Sequence, residues 1–110
     1  MDFAIRIVNL HKYLDEKHIN ALSNQVLRSG TAVGALYREA EHAESRVDFI
    51  HKLAIAQKEC NETLYWLELM NKTGYISGKE YESIRNDAEE LLKLLTASIK
   101  TVKQKLITNH

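Results

Sequence analysis

The stretch from Ser45 to Met70 constrains the fold of this chain more than any other segment. Apolar residues recur there at helical spacing along two rows, so the predicted helix is apolar on more than one side. The first row contains Ile50, Leu53, Gln57, Cys60, Leu64 and Leu67, and the second contains Phe49, Ala56, Thr63, Trp66 and Met70. Such a helix must be covered from several directions. We therefore expect a helical bundle that leaves part of this surface to another subunit.

The composition favours helices and excludes some classes of protein. The chain has 110 residues and no proline, so no proline ring interrupts a helix. Its 15 basic and 15 acidic residues cancel, which gives no overall attraction to nucleic acid or to a membrane. The N-terminus lacks the pattern of a signal peptide, and no stretch approaches the roughly 18 apolar residues of a membrane span. We expect one domain over residues 1–110 in a soluble, cytoplasmic protein.

The first two helices are predicted from stripes of apolar residues. The first covers about residues 3–17 with Asp2 as its N-cap, and the second covers about residues 20–43. The middle of the second helix is built from small residues, among them Gly30 and Gly34. Each glycine costs about 1 kcal/mol relative to alanine inside a helix, and close packing of another segment would compensate for this cost. The alternative is a kink or break at these glycines.

The last two helices are predicted from their capping residues. Ser45 starts the third helix, with Asp48 as its capping partner, and Gly74 is the predicted stop. Ser77 starts the fourth helix, with Glu80 as its capping partner. Short connections make successive helices antiparallel neighbours. The predicted fold is therefore an all-α, antiparallel up-down-up-down four-helix bundle.

One pair of residues matches part of a metal-binding motif. Glu39 and His42 have the spacing found in bundles that bind two metal ions, and Asp48 with His51 is the nearest second pair. Both pairs lie near the predicted turn between the second and third helices. Because a lone motif is often without function, we expect surface histidines here and assign no metal ligand and no cofactor.

The remaining polar residues of the long third helix do not indicate an enzyme. Cys60 is the only cysteine, and its place on an apolar row indicates a buried thiol, the alternative being a nucleophile paired with a histidine. Gln57 on the same row is expected either to fix the helix register or to satisfy a buried polar partner. The sequence has no phosphate-binding loop, no Ser-His-Asp order and no zinc spacing. We therefore expect no catalytic residue.

Positive charge is concentrated near the end of the fourth helix. Residues 91–110 contain no acid, and Lys100, Lys103 and Lys105 lie among them. In a ring these lysines would repeat around the axis and strengthen the local field. Together with Arg28 and Arg38 they are the candidate nucleic-acid contacts, the alternative being a solvated helix end.

A family resemblance is carried mainly by the block from Asp48 to Leu67. The matching segments are Gln25 to Ser29, Val33, Glu39-Ala40, Asp48-Phe49-Ile50, Leu53, Ile55-Ala56, Lys58-Glu59 and Glu62 to Leu67. They resemble a bacterial family of small four-helix bundle proteins encoded within intervening sequences of large-subunit ribosomal RNA genes. The chain also looks like the accessory variability protein of diversity-generating retroelements. The resemblance spans about Phe3 to Leu106 and implies a homopentameric barrel. For the retroelement branch it also implies binding of a reverse transcriptase and of nucleic acid.

Residue pattern and resemblance together indicate a non-enzymatic, self-assembling bundle that serves as a scaffold or binding module. Its expected partner is itself, in a homo-oligomer of five copies, and no membrane partner is expected. The expected subunit interface contains Phe49, Ala56, Thr63, Trp66, Gly30 and Gly34. The first alternative is an RNA- or DNA-binding accessory protein that works with a reverse transcriptase or ribosomal RNA. The second is a metalloprotein built on the bundle.

Overall fold

Four helices make up the structure, a computed structural model that describes residues 1–108; Asn109 and His110 lie outside the described residues. In chain order the helices are α1 (Asp2–Glu16), α2 (Asn20–Glu41), α3 (Arg46–Lys72) and α4 (Gly78–Thr108). The described part contains no strand. The molecule is elongated, with extents of 55 × 22 × 19 Å. These features confirm the predicted all-α, four-helix fold.

The capping residues of α3 and α4 lie where the sequence predicts them. The Asp48 backbone N–H donates to Ser45 Oγ at 3.0 Å, and the Glu80 backbone N–H donates to Ser77 Oγ at 3.1 Å. Gly74 adopts a φ of 86°, in the left-handed region that ends helices and that favours glycine. Local capping chemistry therefore fixes both ends of the α3–α4 connection.

The ends of α1 and α2 differ slightly from the prediction. Asp2 is already the first helical residue, and Met1 precedes it without a side-chain cap, so the predicted N-cap at Asp2 is wrong. The α1 helix ends at Glu16, and His18 adopts a φ of 60° in the turn that follows. The α2 helix ends at Glu41, two residues before the predicted end at Ala43. Neither end carries a glycine or proline that would mark it in the sequence.

The α3 helix lies at the centre of the bundle. It packs extensively against both α2 and α4, whereas α1 packs against α2 and touches α4 only slightly. Its fully buried residues recur at steps of three and four, and they are Leu53, Ala56, Cys60, Thr63, Leu67 and Met70. This buried row combines members of both apolar rows seen in the sequence. Two neighbouring helices of the same chain thus cover most of the apolar surface of α3.

Polar side chains of α3 form hydrogen bonds with both neighbouring helices. The Thr63 hydroxyl donates to Ser29 Oγ at 2.9 Å, and both residues are fully buried between α2 and α3. On the other side of α3, Gln57 Nε2 donates to Thr96 Oγ1 of α4 at 2.8 Å. Gln57 thus has a polar partner on α4, at a position that solvent reaches. The Ser29 and Thr63 hydroxyls also lie 2.9 Å from the carbonyl oxygens of Gln25 and Glu59, so each has a partner within its own helix as well.

The two glycines of α2 occupy different environments in a continuous helix. Gly30 is buried, and a Cβ built on it lies 2.8 Å from Cγ1 of Ile7 in α1. Gly34 is exposed, and the nearest atom to its Cβ position is Ala4 Cβ at 4.0 Å. Gly30 therefore permits the close packing of α1 on α2 within one subunit, and α2 has no break at these positions.

Alanine substitutions at these glycines should shift stability in opposite directions. Gly30→Ala places a methyl group against Ile7, at an overpacking cost of about 1–3 kcal/mol that outweighs the gain in helix propensity. Gly34→Ala has room, so its expected effect is a gain of about 0.5–1 kcal/mol. Urea denaturation of both variants measures the difference. A gain of stability in both variants would show that Ile7 does not press on Gly30.

Candidate functional site

The α1 helix is too short to complete the bundle. It has 15 residues and α4 has 31, so their lengths are about 22 Å and about 46 Å. Beyond the start of α1, the gap between α2 and α4 remains open as a slot of about 1730 Å³. We call this feature the open slot. Its apolar lining residues are Met1, Phe3, Ala4, Val33, Ala35, Tyr37, Leu91, Leu94 and Leu95.

Large apolar side chains of the open slot are accessible to solvent. Leu94 in the α4 wall is 61% exposed, and Tyr37 in the α2 wall is 45% exposed. Leu95 and Val33, each 1% exposed, belong to the core that the slot reaches. A leucine as exposed as Leu94 gains about 1.5–3 kcal/mol when it is fully covered. The open slot is therefore an apolar surface that this subunit leaves available for binding.

An ion pair joins α1 to α4 at one side of the open slot. Arg6 donates from Nη1 to Asp87 Oδ2 at 2.6 Å and from Nη2 to Ser83 Oγ at 2.9 Å. A second cavity of about 400 Å³ also lies between these helices, with Arg6, Tyr13 and Tyr75 among its lining residues. Both cavities lie along the same pair of helices, so the α1–α4 contact is the loosest packing between neighbouring helices.

The residues predicted for a subunit interface lie mostly inside the subunit. Ala56 and Thr63 are 0% exposed, and their surface is covered by α2 and α4. Phe49 and Trp66 are half-buried, and each packs against one of the two core clusters. Gly30 is covered by Ile7. Of the six, only Gly34 lies in the open slot. In this structure Ala56, Thr63 and Gly30 are closed to a second copy.

Arg28, predicted to contact nucleic acid, is engaged by carboxylates of α3. Its Nη1 lies 3.1 Å from Glu59 Oε2, and its Nη2 lies 2.5 Å from Glu62 Oε2. The hydrogen bond from Arg28 lowers the pKa of Glu62, and the same bond raises the pKa of Arg28. The charge of Arg28 is therefore balanced within the subunit, which weakens its attraction for a phosphate.

Arg28 lies near the middle of the bundle, and the other four candidate cations lie closer to one end. Lys100, Lys103 and Lys105 are exposed on the last turns of α4, and Arg38 lines the open slot. Cys60 contacts Ala88, so Ala88 lies at about the height along the bundle at which Arg28 pairs with Glu59. Lys100 lies twelve residues further along α4, which is about 18 Å. The five cations thus do not form one continuous patch.

The residues of the metal-binding hypothesis have other contacts. Glu39 forms an ion pair with Lys52 Nζ at 3.4 Å, and the Asp48 carboxylate accepts from the Glu44 backbone N–H at 3.3 Å. His42 and His51 are both exposed. Within residues 1–108, no group of three or more His, Cys, Asp or Glu side chains could hold a metal ion.

Cys60 is a buried thiol at the contact between α3 and α4. Its Sγ donates to the Ala88 carbonyl oxygen at 3.3 Å, and the side chain is 0% exposed. Burial raises the pKa of Cys60 to about 11, because an ionised thiolate is poorly solvated there. A group that stays neutral near pH 7 and has no access to solvent is not an activated nucleophile.

The raised pKa predicts a loss of stability at alkaline pH. The unfolded thiol ionises near pH 9 and the folded thiol near pH 11, so the stabilisation is complete below pH 9 and is lost as pH rises through 11. Between these pH values the free energy of unfolding should fall faster with pH in the wild type than in Cys60→Ala. The difference between the two slopes is at most about 1.4 kcal/mol per pH unit. Urea denaturation of both proteins from pH 8 to 11 measures the difference. Parallel pH profiles would contradict the burial of the thiol.

Among residues 1–108, no helix is both long enough and apolar enough to cross a lipid bilayer.

The comparisons with known proteins agree with the fold. The family model described as 23S rRNA-intervening sequence protein matches residues 1–97. The chain is also similar to the crystal structure of a protein with unknown function from the S23 ribosomal protein family of Bacteroides thetaiotaomicron VPI-5482. The two are 58% identical, with a TM-score of 0.88 over 90% of this chain and 93% of that chain. No curated protein matches the chain.

The family match covers α1, α2, α3 and all of the α4 residues that line the open slot except Ser98. The family resemblance found in the sequence is thereby confirmed. This chain belongs to the 23S rRNA-intervening sequence protein family.

Proposed function

We propose that this protein is a non-enzymatic, self-assembling four-helix bundle that serves as a scaffold or binding module. The observation that carries the proposal is the open slot, which leaves Leu94 and Tyr37 of one subunit in solvent. Exposed apolar surfaces of this kind mark interaction sites in soluble proteins. The zero net charge supports association, because identical copies do not repel one another through a net charge.

A ring of five copies is the expected assembly, on the strength of the family resemblance. Covering Leu94 alone contributes about 1.5–3 kcal/mol per copy, and a closed ring repeats that contribution at every contact. Multi-angle light scattering at tens of micromolar tests the proposal. The expected mass is a multiple of 12.7 kDa, and five times this value for the ring. A mass of 12.7 kDa that does not rise with concentration would exclude self-assembly.

Nucleic-acid binding, with ribosomal RNA or with a reverse transcriptase as partner, is the second candidate function. The observation that favours it is the end of α4, which carries three exposed lysines in a stretch, residues 91–110, whose sequence contains no acid. In a ring, copies of this end would lie on one rim and attract phosphates together.

Replacing Lys100 and Lys103 by glutamine should weaken RNA binding and reduce its dependence on salt. Each lost phosphate contact lowers the slope of log K against log salt by about 1, so a fall of about 2 is expected. Filter binding to a 23S ribosomal RNA fragment measures this slope. The salt concentration is varied from about 50 to about 200 mM, the range in which phosphate contacts respond. Lys79→Gln, in the first turn of α4 and also exposed, is the matched control. Affinity that is absent, or that ignores salt, excludes this candidate.

A further inference from the structure

Charge is unevenly distributed over this neutral chain. Seven carboxylates line the open slot, against three arginine or lysine side chains. Two of those cations are already paired, Arg6 with Asp87 and Lys52 with Glu39. The open slot is therefore an acidic surface with an apolar floor. Glu41 and Glu90, one on each long wall, are exposed and form no ion pair within residues 1–108.

The complementary surface occurs on the same chain. Residues 100–107, which we call the basic tail, lie on the last turns of α4 and contain three lysines and no acid. The tail also has an apolar component, because Ile107 is 73% exposed. An acidic apolar slot and a basic apolar helix end match in charge and in polarity. They are different parts of one subunit, so a single subunit presents both halves of a contact.

We propose that the basic tail of one copy docks in the open slot of the next copy. This inference rests on the proposed self-assembly and specifies how it occurs. Contact between two different surfaces is head-to-tail, and head-to-tail contacts close into rings when the rotation between copies permits. In this contact Lys100 and Lys103 face Glu41 and Glu90, and Ile107 packs against Leu94 of the α4 wall. Because these charges lie near solvent, the contact weakens as salt rises.

Charge reversal on each surface, followed by combination of both reversals, tests the pairing. The slot variant carries Glu41→Lys and Glu90→Lys, and the tail variant carries Lys100→Glu and Lys103→Glu. All four residues are exposed, so the fold of the subunit should tolerate the changes. Each variant alone should associate tenfold to hundredfold more weakly, on the order of what like charges cost across an interface. The combined variant restores opposite charges on the two surfaces and should assemble as the wild type does.

An equimolar mixture of the slot and tail variants provides an independent measurement. Each variant then supplies the charge that the other lacks, so the mixture should associate more tightly than either variant alone. A control with Glu68→Lys and Glu82→Lys has the same net charge as the slot variant, and both of its residues are exposed outside the slot. This control should assemble as the wild type does. Circular dichroism confirms that every variant is folded.

The possible results separate this inference from the self-assembly on which it rests. A monomeric wild type overturns both. Assembly of the wild type together with unimpaired assembly of the slot and tail variants overturns the tail-in-slot contact alone. The tail-in-slot contact is also overturned if the combined variant associates as weakly as the slot variant and the tail variant do. Rescue in the combined variant and in the mixture supports the contact.

Discussion

Replacing Ala56 with arginine is expected to unfold the subunit, not to release folded subunits from an assembly. Ala56 is 0% exposed in the middle of α3, in the core cluster that also contains Leu53 and Leu95. Arginine there brings an unpaired charge into the core at a cost of several kcal/mol, with an overpacking cost of about 1–3 kcal/mol. Since small domains are stable by only about 5–15 kcal/mol, the folded state should be lost or nearly lost.

The matched control lies two residues away on the same helix. Ala54 is exposed, so Ala54→Arg should change the free energy of unfolding by less than about 0.5 kcal/mol. Circular dichroism during urea denaturation measures both variants. If Ala56→Arg gave a folded monomer, Ala56 would lie at a subunit interface, as the sequence suggested, and not in the subunit core.

Replacing Leu94 with glutamine should weaken assembly strongly and leave the subunit folded. Leu94 is 61% exposed in the α4 wall of the open slot, and glutamine has a similar size and helix propensity. Loss of a covered leucine costs about 1.5–3 kcal/mol at each contact, or roughly tenfold to more than hundredfold in the association constant. Because a closed ring repeats the contact, the loss multiplies over the assembly.

Analytical ultracentrifugation over a concentration series measures this effect. Tyr65→Gln is the control, since Tyr65 is 58% exposed on α3 and does not line the open slot. Tyr65→Gln should sediment as the wild type does, whereas Leu94→Gln should dissociate at a higher concentration than either. Equal dissociation of the two variants would place the subunit contact outside the open slot.

Local signals in the sequence were sufficient for most of the fold. Ser45, Ser77 and Gly74 mark helix ends through contacts within a few residues, so their roles follow from their own neighbourhoods. The buried state of Cys60 also follows from helical spacing. These features depend on which face of one helix is apolar, and periodicity reports that directly.

The placement of the candidate site depended on contacts between distant residues. The two apolar rows of α3 indicate that two neighbours cover it, but they do not indicate whether those neighbours belong to the same chain. Here α2 and α4 cover most of both rows, and Ala56 and Thr63 lie inside. Arg28 likewise looks free in sequence, because its partners Glu59 and Glu62 lie more than thirty positions away.

The open slot follows from the lengths of the helices. A first helix of 15 residues beside a fourth helix of 31 residues leaves part of a bundle uncovered, whatever the side chains are. The sequence pattern did not identify Leu94 as a binding residue. This leucine lies beside the buried stripe of α4 and is apolar where a solvent-facing position is usually polar.

Small-angle X-ray scattering of the wild-type protein in solution tests most directly whether copies cover one another's open slots. A single subunit has a Cα radius of gyration of 15.5 Å and a mass of 12.7 kDa. Self-assembly predicts a larger radius of gyration and a forward scattering that corresponds to several copies. A radius close to 15.5 Å, with the mass of one chain at every concentration, would contradict the account, because the open slot would then remain in solvent.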